Sequence, residues 1–282
     1  MAKQLLGKEV TAALNETIKA DAVSLREKGV VPTLAIIRVG ENESDISYER
    51  GATKRCELLE VECKKYLLPE DISEEELLKV IDEVNNDDTI HGVLLFRPLP
   101  KHLNSTLIEN ALAPEKDVDA MTDGSMCGVF VGKDIGYPPC TPQACIEILD
   151  HYGIDCTGKN IAVIGRSLVV GKPVAMMLMK KNATVTICHT RTVDMPQITR
   201  KADILIVAAG RAGVVTKDYV SEGQIVIDVG INVNDEGKLC GDVAYEEVEQ
   251  IVDAITPVPG GVGSVTTSVL VKHVVEAAKK KA

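Results

Sequence analysis

Several features are missing from this chain of 282 residues, and each absence closes off a class of function. No run of about 18 apolar residues occurs, so no segment reads as a membrane span. The opening residues, Met-Ala-Lys-Gln-Leu-Leu-Gly-Lys, lack the apolar centre of a secretory signal. Basic residues are in deficit, with 31 Lys and Arg against 42 Asp and Glu and a net charge of -11. That balance argues against a nucleic-acid surface, which needs a basic face. The cysteines at 56, 63, 127, 140, 145, 156, 188 and 240 include no Cys-x-x-Cys pair, and the histidines make no metal-ligand spacing with them. We therefore expect no metal, no disulfide framework and a cytoplasmic protein with reduced thiols. Internal repeats are absent as well.

What is present is a well-patterned α/β chain. Hydrophobic residues make up 45%, enough for a sizeable core, and the length suits two domains. Val10, Leu14, Ile18 and Leu25 recur at helical spacing through residues 7–28. Pro32–Val39 and His91–Phe96 read as buried strands, residues 45–61 as a helix and Lys65–Leu68 as a short strand. Ser73 with Glu76 three residues on forms a capping box. Strands alternating with helices imply parallel pairing in a three-layer α/β domain. Prolines 114, 138, 139 and 142 and glycines 124, 128, 132 and 136 predict a long connection over 114–142. A helix at about 142–152 leads into a second unit with strands at 160–164, 183–188, 203–208 and 224–229. A last helix runs to the C-terminus after Gly263.

The most informative segment is Asn160–Pro173. The apolar run Ile161–Ile164 ends in Gly165, Arg166 and Ser167 follow, and Gly171 precedes a helical pattern. A strand, a glycine turn and a helix start direct free N–H groups and a positive helix end at one spot, which suits a phosphate. Pro173 fits the first helical turn, where its missing N–H costs nothing. The spacing is Gly-x5-Gly rather than Gly-x-Gly-x-x-Gly. The next strand ends in His189-Thr190-Arg191, with no acidic residue to hold a ribose hydroxyl. With Arg166, this favours the 2′-phosphate of NADP over NAD.

Several segments in order, namely Gly165–Pro173, Ala183–Thr192, Ile227–Asn232 and Thr256–Gly263, combine with Lys116-Asp117-Val118-Asp119 and Pro139–Pro142. With them the chain resembles the methylenetetrahydrofolate dehydrogenase/cyclohydrolase family over nearly its whole length. The resemblance implies a folate and catalytic domain at 1–120 plus 265–282. It also implies a Rossmann-type parallel-sheet domain at 140–264, with the C-terminal helix returning to the first domain and the active site in the cleft between them. A homodimer acting in one-carbon metabolism is implied too. The resemblance makes Tyr48 a packing surface for the folate ring and Asp119 the acceptor for the pterin, and treats both as catalytic. Leu99 and Pro100 in the 98–100 turn, with Gly260 and Gly261, would let backbone approach the substrate. Gly165, Arg166, Ser167, Gly171, Thr190, Arg191 and Ile231 would hold the cofactor.

Two departures bear on the second family activity, hydrolysis of methenyltetrahydrofolate to the 10-formyl form. The family uses a lysine one helical turn after the tyrosine and a glutamine at the end of the strand before the Pro-Leu-Pro turn. Here those positions are Ala52 and Phe96. Lys54 lies about 200° around the helix from position 52 and cannot stand in for it. Hydride transfer needs no lysine, whereas hydration draws on proton transfers worth about 10²–10⁴-fold. The residues alone therefore predict a dehydrogenase with weak or absent cyclohydrolase activity. The competing readings are the ordinary bifunctional enzyme, with water or Arg97 replacing the pair, a different Rossmann oxidoreductase, and a non-catalytic folate-binding protein. Smaller departures are Ala120 and Ala144 in place of family glycines, and Ser264 in place of a proline.

Overall fold

The computed structural model describes residues 1–234 and 236–282. The chain forms two compact units, one of Met1–Ala12 with Thr141–Thr266 and one of Ala13–Cys140 with Thr267–Ala282. It opens with strand β1 (Lys3–Gln4), helix α1 (Gly7–Glu27), β2 (Thr33–Val39), α2 (Glu43–Leu58), β3 (Glu62–Leu68), α3 (Glu74–Asn86) and β4 (Gly92–Leu95). Then come α4 (Ser105–Ala111), α5 (Asp123–Val131) and α6 (Cys140–His151). The next stretch holds β5 (Asn160–Ile164), α7 (Gly171–Lys180), β6 (Thr184–Cys188), α8 (Met195–Thr199), β7 (Ile204–Val207) and β8 (Ile225–Asp228). The hairpin β9 (Asn232–Val233) and β10 (Leu239–Cys240), α9 (Tyr245–Val248), β11 (Ala254–Ile255) and α10 (Thr266–Lys279) complete it. No helix among the described residues is long and apolar enough to cross a membrane. All eight cysteines are free.

In the three-stranded unit the order is β3-β2-β4, all parallel. Every residue of β2 is buried, as a strand covered on both faces requires. Ala35, Ile37 and Val39 point one way, into a core with Leu77, Ile81 and Val84 of α3. On the other face, Val274 of α10 presses against Gly92, where a Cβ would sit 2.9 Å from it. The C-terminal helix thus does return to this unit. The capping box at Ser73 and Glu76 forms at the start of α3, and Asn42 caps α2 by accepting from the Ser44 N–H at 2.9 Å.

Residues 114–140 of the linker expected at 114–142 are instead part of this unit. Pro114 starts a 3-10 turn, and Thr122 caps α5 by accepting from the Ser125 N–H at 3.0 Å. Lys116 is buried and donates to the Val84 and Asp87 carbonyls at 2.7 and 2.8 Å. Asp117 accepts from the Met121 and Thr122 N–H groups at 2.9 and 2.8 Å. Proline and glycine mark turns here because the backbone is bent around anchored side chains, not because it is loose.

The six-stranded unit has the order β1-β11-β8-β7-β5-β6, with every pair parallel. Two of these strands were not anticipated. Lys3–Gln4 pairs with Ala254–Ile255, which carries residues 1–12 into this unit rather than into the expected 1–120 domain. A two-residue strand has no alternation to read, and its place is set by partners about 250 residues away in sequence. From β5 the chain runs to β6 on one side and then returns to β7 on the other side of β5. That reversal is a topological switch point, and the strand ends there open a crevice for ligands.

Candidate functional site

The glycine turn lies at that switch point. Gly165 has φ +128, and a Cβ there would meet the Ala208 carbonyl oxygen at 2.2 Å. A Cβ on Gly171 would meet the Gly165 oxygen at 2.2 Å. Neither position tolerates a side chain, because the turn folds tightly against itself and against the exit of β7. Ser167 closes the turn by accepting from the Val170 N–H at 3.1 Å. A cavity of about 680 Å³ opens beside it, lined by Gly165, Arg166, Ser167, His189, Thr190 and Ala208 among others. Arg166, Thr190 and Arg191 are exposed, and neither arginine forms an ion pair among the described residues. Gly171 and Arg191 do not line the cavity themselves. Gly171 shapes the turn, and Arg191 lies between Thr190 and Thr192, which do line it. A glycine cradle with no room for a Cβ, next to two unpaired guanidinium groups, fits a dinucleotide with an extra phosphate.

Ile231, expected at the cofactor, shares a smaller cavity of about 280 Å³ with Gly260 and Gly261, expected at the substrate. Ser264, at the family's proline position, donates to the Gly261 carbonyl at 2.7 Å and ties down the glycine loop.

The other expected residues belong to the three-stranded unit. Tyr48 on α2 is 37% exposed and meets Phe96 edge-on, with ring centroids 5.8 Å apart and planes at 82°. Its neighbour Glu49 accepts from Arg38 and Lys65, each at 2.9 Å. Burial pushes the Glu49 carboxyl up, but these two cations outweigh it and hold it below its ordinary range. Ala52 is fully buried, and Lys54 is exposed on another side of the helix. Leu99 is buried in the core beside α3 and α4, so only its backbone is available to a ligand. Pro100 is half-buried.

Asp119 follows the Asp117 bridge to Val93 and so runs along the edge of β4 toward its C-terminal end. Its Oδ1 accepts the Cys140 N–H at 2.8 Å. Burial raises the Asp119 carboxyl above its usual range, while Cys140 and the nearby Arg97 pull it back in part. Arg97 also pairs with Glu109 at 3.6 Å.

Sequence reasoning missed the Arg38–Glu49–Lys65 network and the aspartates Asp228 and Asp242. The aspartates sit in Ile227-Asp228-Val229-Gly230 and Gly241-Asp242-Val243, where an acidic residue beside glycine in an apolar stretch is the available signal.

Comparison with known proteins agrees with this arrangement. The family described as tetrahydrofolate dehydrogenase/cyclohydrolase matches in two parts, its catalytic domain at residues 5–119 and its NAD(P)-binding domain at residues 139–282. The chain belongs to this family. It is 51% identical to the bifunctional protein FolD of Clostridium botulinum, over 99% of both chains. The crystal structure of the bifunctional FolD enzyme of Campylobacter jejuni superposes with a TM-score of 0.97 at 40% identity, covering 100% of each chain. FolD of Trypanosoma brucei, solved with NADP cofactor and an inhibitor, has a TM-score of 0.92 at 30% identity, over 99% of this chain and 98% of that one.

Proposed function

We propose that this chain oxidises 5,10-methylenetetrahydrofolate to 5,10-methenyltetrahydrofolate with NADP, and hydrolyses the product to 10-formyltetrahydrofolate. The observation that carries the first step is the cavity at the switch point, with its glycine cradle, the unpaired Arg166 in its wall and the unpaired Arg191 next to its lining residues Thr190 and Thr192. The NADP-bound FolD of Trypanosoma brucei supports the choice of cofactor. NADP, when bound, supplies the hydride acceptor. The Gly165–Gly171 turn would hold its pyrophosphate, and Arg166, Thr190 and Arg191 its 2′-phosphate. Ile231 would flank the nicotinamide end. In the three-stranded unit Tyr48 offers a ring face to the pterin, and the Asp119 carboxylate accepts its N–H edge. Backbone at Leu99, Pro100, Gly260 and Gly261 would complete the substrate's surroundings. Orientation is the main task, because the folate nitrogens themselves stabilise the cation formed. A homodimer is part of the same reading.

The hydrolysis step rests on relatives named as bifunctional. They favour retention of both activities over the loss expected from residues 52 and 96. A second reading rests on a specific observation. Position 52 is a buried alanine, and Phe96 sets its ring edge-on against Tyr48 where an amide would orient an amine. On that reading hydration is slow and the methenyl product is released. One experiment separates the two. Purified enzyme is mixed with 5,10-methylenetetrahydrofolate and NADP, and NADPH and the methenyl product are followed by absorbance. NADPH formation with methenyl loss faster than in an enzyme-free control supports the bifunctional reading. NADPH and methenyl rising in step supports the second, and absence of NADPH rejects the dehydrogenase.

A further inference from the structure

Asp242 is fully buried, and its carboxylate is completely engaged. Oδ2 accepts the N–H groups of Ala209 and Gly210 at 2.6 and 2.8 Å. Oδ1 accepts the Arg211 N–H and the Asn232 side-chain amide, each at 2.9 Å. Three successive N–H groups converging on one carboxylate form an anion nest. This nest is filled from within the protein, so it shapes the loop rather than receiving a ligand.

The two segments it holds border the two cavities. Residues 209–211 continue from Ala208, whose oxygen closes on Gly165 in the phosphate turn. Asn232 follows Ile231, which lines the smaller cavity with Gly260 and Gly261. Asp242 is itself placed by Asp228, which accepts the N–H groups of Gly230, Asp242 and Val243 at 2.9, 3.1 and 3.0 Å. The fit leaves no slack. A Cβ on Gly230 would lie 2.4 Å from the Asp242 carboxyl, and one on Gly241 would lie 1.9 Å from that of Asp228.

We propose that Asp242 is a positioning residue for the dinucleotide, setting the loop against the phosphate turn and the segment at Ile231 without touching the cofactor. The proposal rests on reading the larger cavity as the NADP site. Losing the charge strands buried N–H donors, and the loop must move to satisfy them.

The test measures the dissociation constant of NADP by isothermal titration calorimetry on the full chain, with melting temperature recorded in parallel. Asp242→Asn is expected to weaken NADP binding by about 10- to 100-fold. The KM for 5,10-methylenetetrahydrofolate at saturating NADP should change by less than about threefold. Asn232→Ala removes one donor and leaves the nest intact, so about 3- to 10-fold weaker NADP binding is expected, with little change in melting temperature. If Asp242→Asn does not fold, Asn232→Ala decides the matter. Variants that melt earlier but bind NADP as the wild type does would overturn the positioning role alone. A wild-type chain that fails to bind NADP would overturn the reading of the cavity and this proposal with it.

Discussion

Asp119 and Asp242 are two carboxylates held in opposite ways, the first half-buried and the second fully buried. Asp242 accepts four hydrogen bonds, which use both oxygens fully. Asp119 has a partner in Cys140 alone among the described residues, through an N–H at 2.8 Å. A buried carboxylate short of donors is costly unless something else supplies them. The saturated aspartate belongs to the architecture of its unit. The unsaturated one is the acceptor that the proposed function assigns to the N–H edge of the pterin.

The strongest way to break this contrast is Asp119→Asn. Two charge-assisted hydrogen bonds to the pterin would be lost or reversed, so kcat/KM for 5,10-methylenetetrahydrofolate should fall by roughly 10²- to 10³-fold. The melting temperature should stay within a few degrees, since Cys140 alone among the described residues hydrogen-bonds that carboxylate. Equal loss of stability and activity would mean that Asp119 is structural after all. Next in size is Gly241→Ala, whose Cβ would sit 1.9 Å from the Asp228 carboxylate. Overpacking of this kind costs about 1–3 kcal/mol, which urea unfolding would register. Wild-type stability in that variant would show that the aspartate pair is looser than its distances indicate.

Asp228 gives the contrast a pH dependence. Burial pushes its carboxyl from 3.8 up to about 6, against the pull of three backbone N–H groups and with a further push from Asp242. The folded state therefore binds the proton more tightly than the unfolded chain. The stabilisation from this group is full below about pH 4 and is lost as the pH rises through about 6. A shift of this kind is worth on the order of 1–3 kcal/mol. Urea midpoints at pH 5, 6 and 7 should show a falling contribution in the wild type and a flatter profile in Asp228→Asn. Identical slopes would remove Asp228 from the account. The smallest expected effect lies beside the other carboxylate. Ala120, next to Asp119, has φ +49, in the left-handed region that costs a non-glycine residue about 1 kcal/mol. Ala120→Gly should raise stability by up to about 0.5 kcal/mol once the extra freedom of the unfolded glycine is counted. A stability drop would show that the alanine methyl, which is nearly buried, packs well enough to offset the strain.

The glycine turn and the strands around it were readable in the sequence because their signals are local. An apolar run, a glycine and a proline at the first helical turn all lie within Asn160–Pro173. The linker expected at 114–142 failed for a matching reason. Proline and glycine report that the backbone bends, and nothing nearby reports that Lys116 and Asp117 anchor it. Assigning Ile231 to the cofactor from its position in the chain says nothing of the cavity it shares with Gly260 and Gly261, some thirty residues later. The same limit applies at Ala52 and Phe96. The sequence reports the lost lysine and glutamine, but the edge-on contact between Phe96 and Tyr48 exists only once α2 packs beside the end of β4.

Local order alone therefore accounts for the alternation of strands and helices, the parallel sheets that follow from it, the phosphate turn and the family. These depend on spacing along the chain, and spacing survives in the sequence. The tertiary structure decided that residues 1–12 join the six-stranded sheet, that Asp242 gathers donors from segments about ten and thirty residues away, and that Asp119 meets only Cys140 as a donor among the described residues. Each of those outcomes depends on which distant groups meet after folding. The energy of a buried carboxylate is set by the donors that surround it in space, not by its neighbours in sequence.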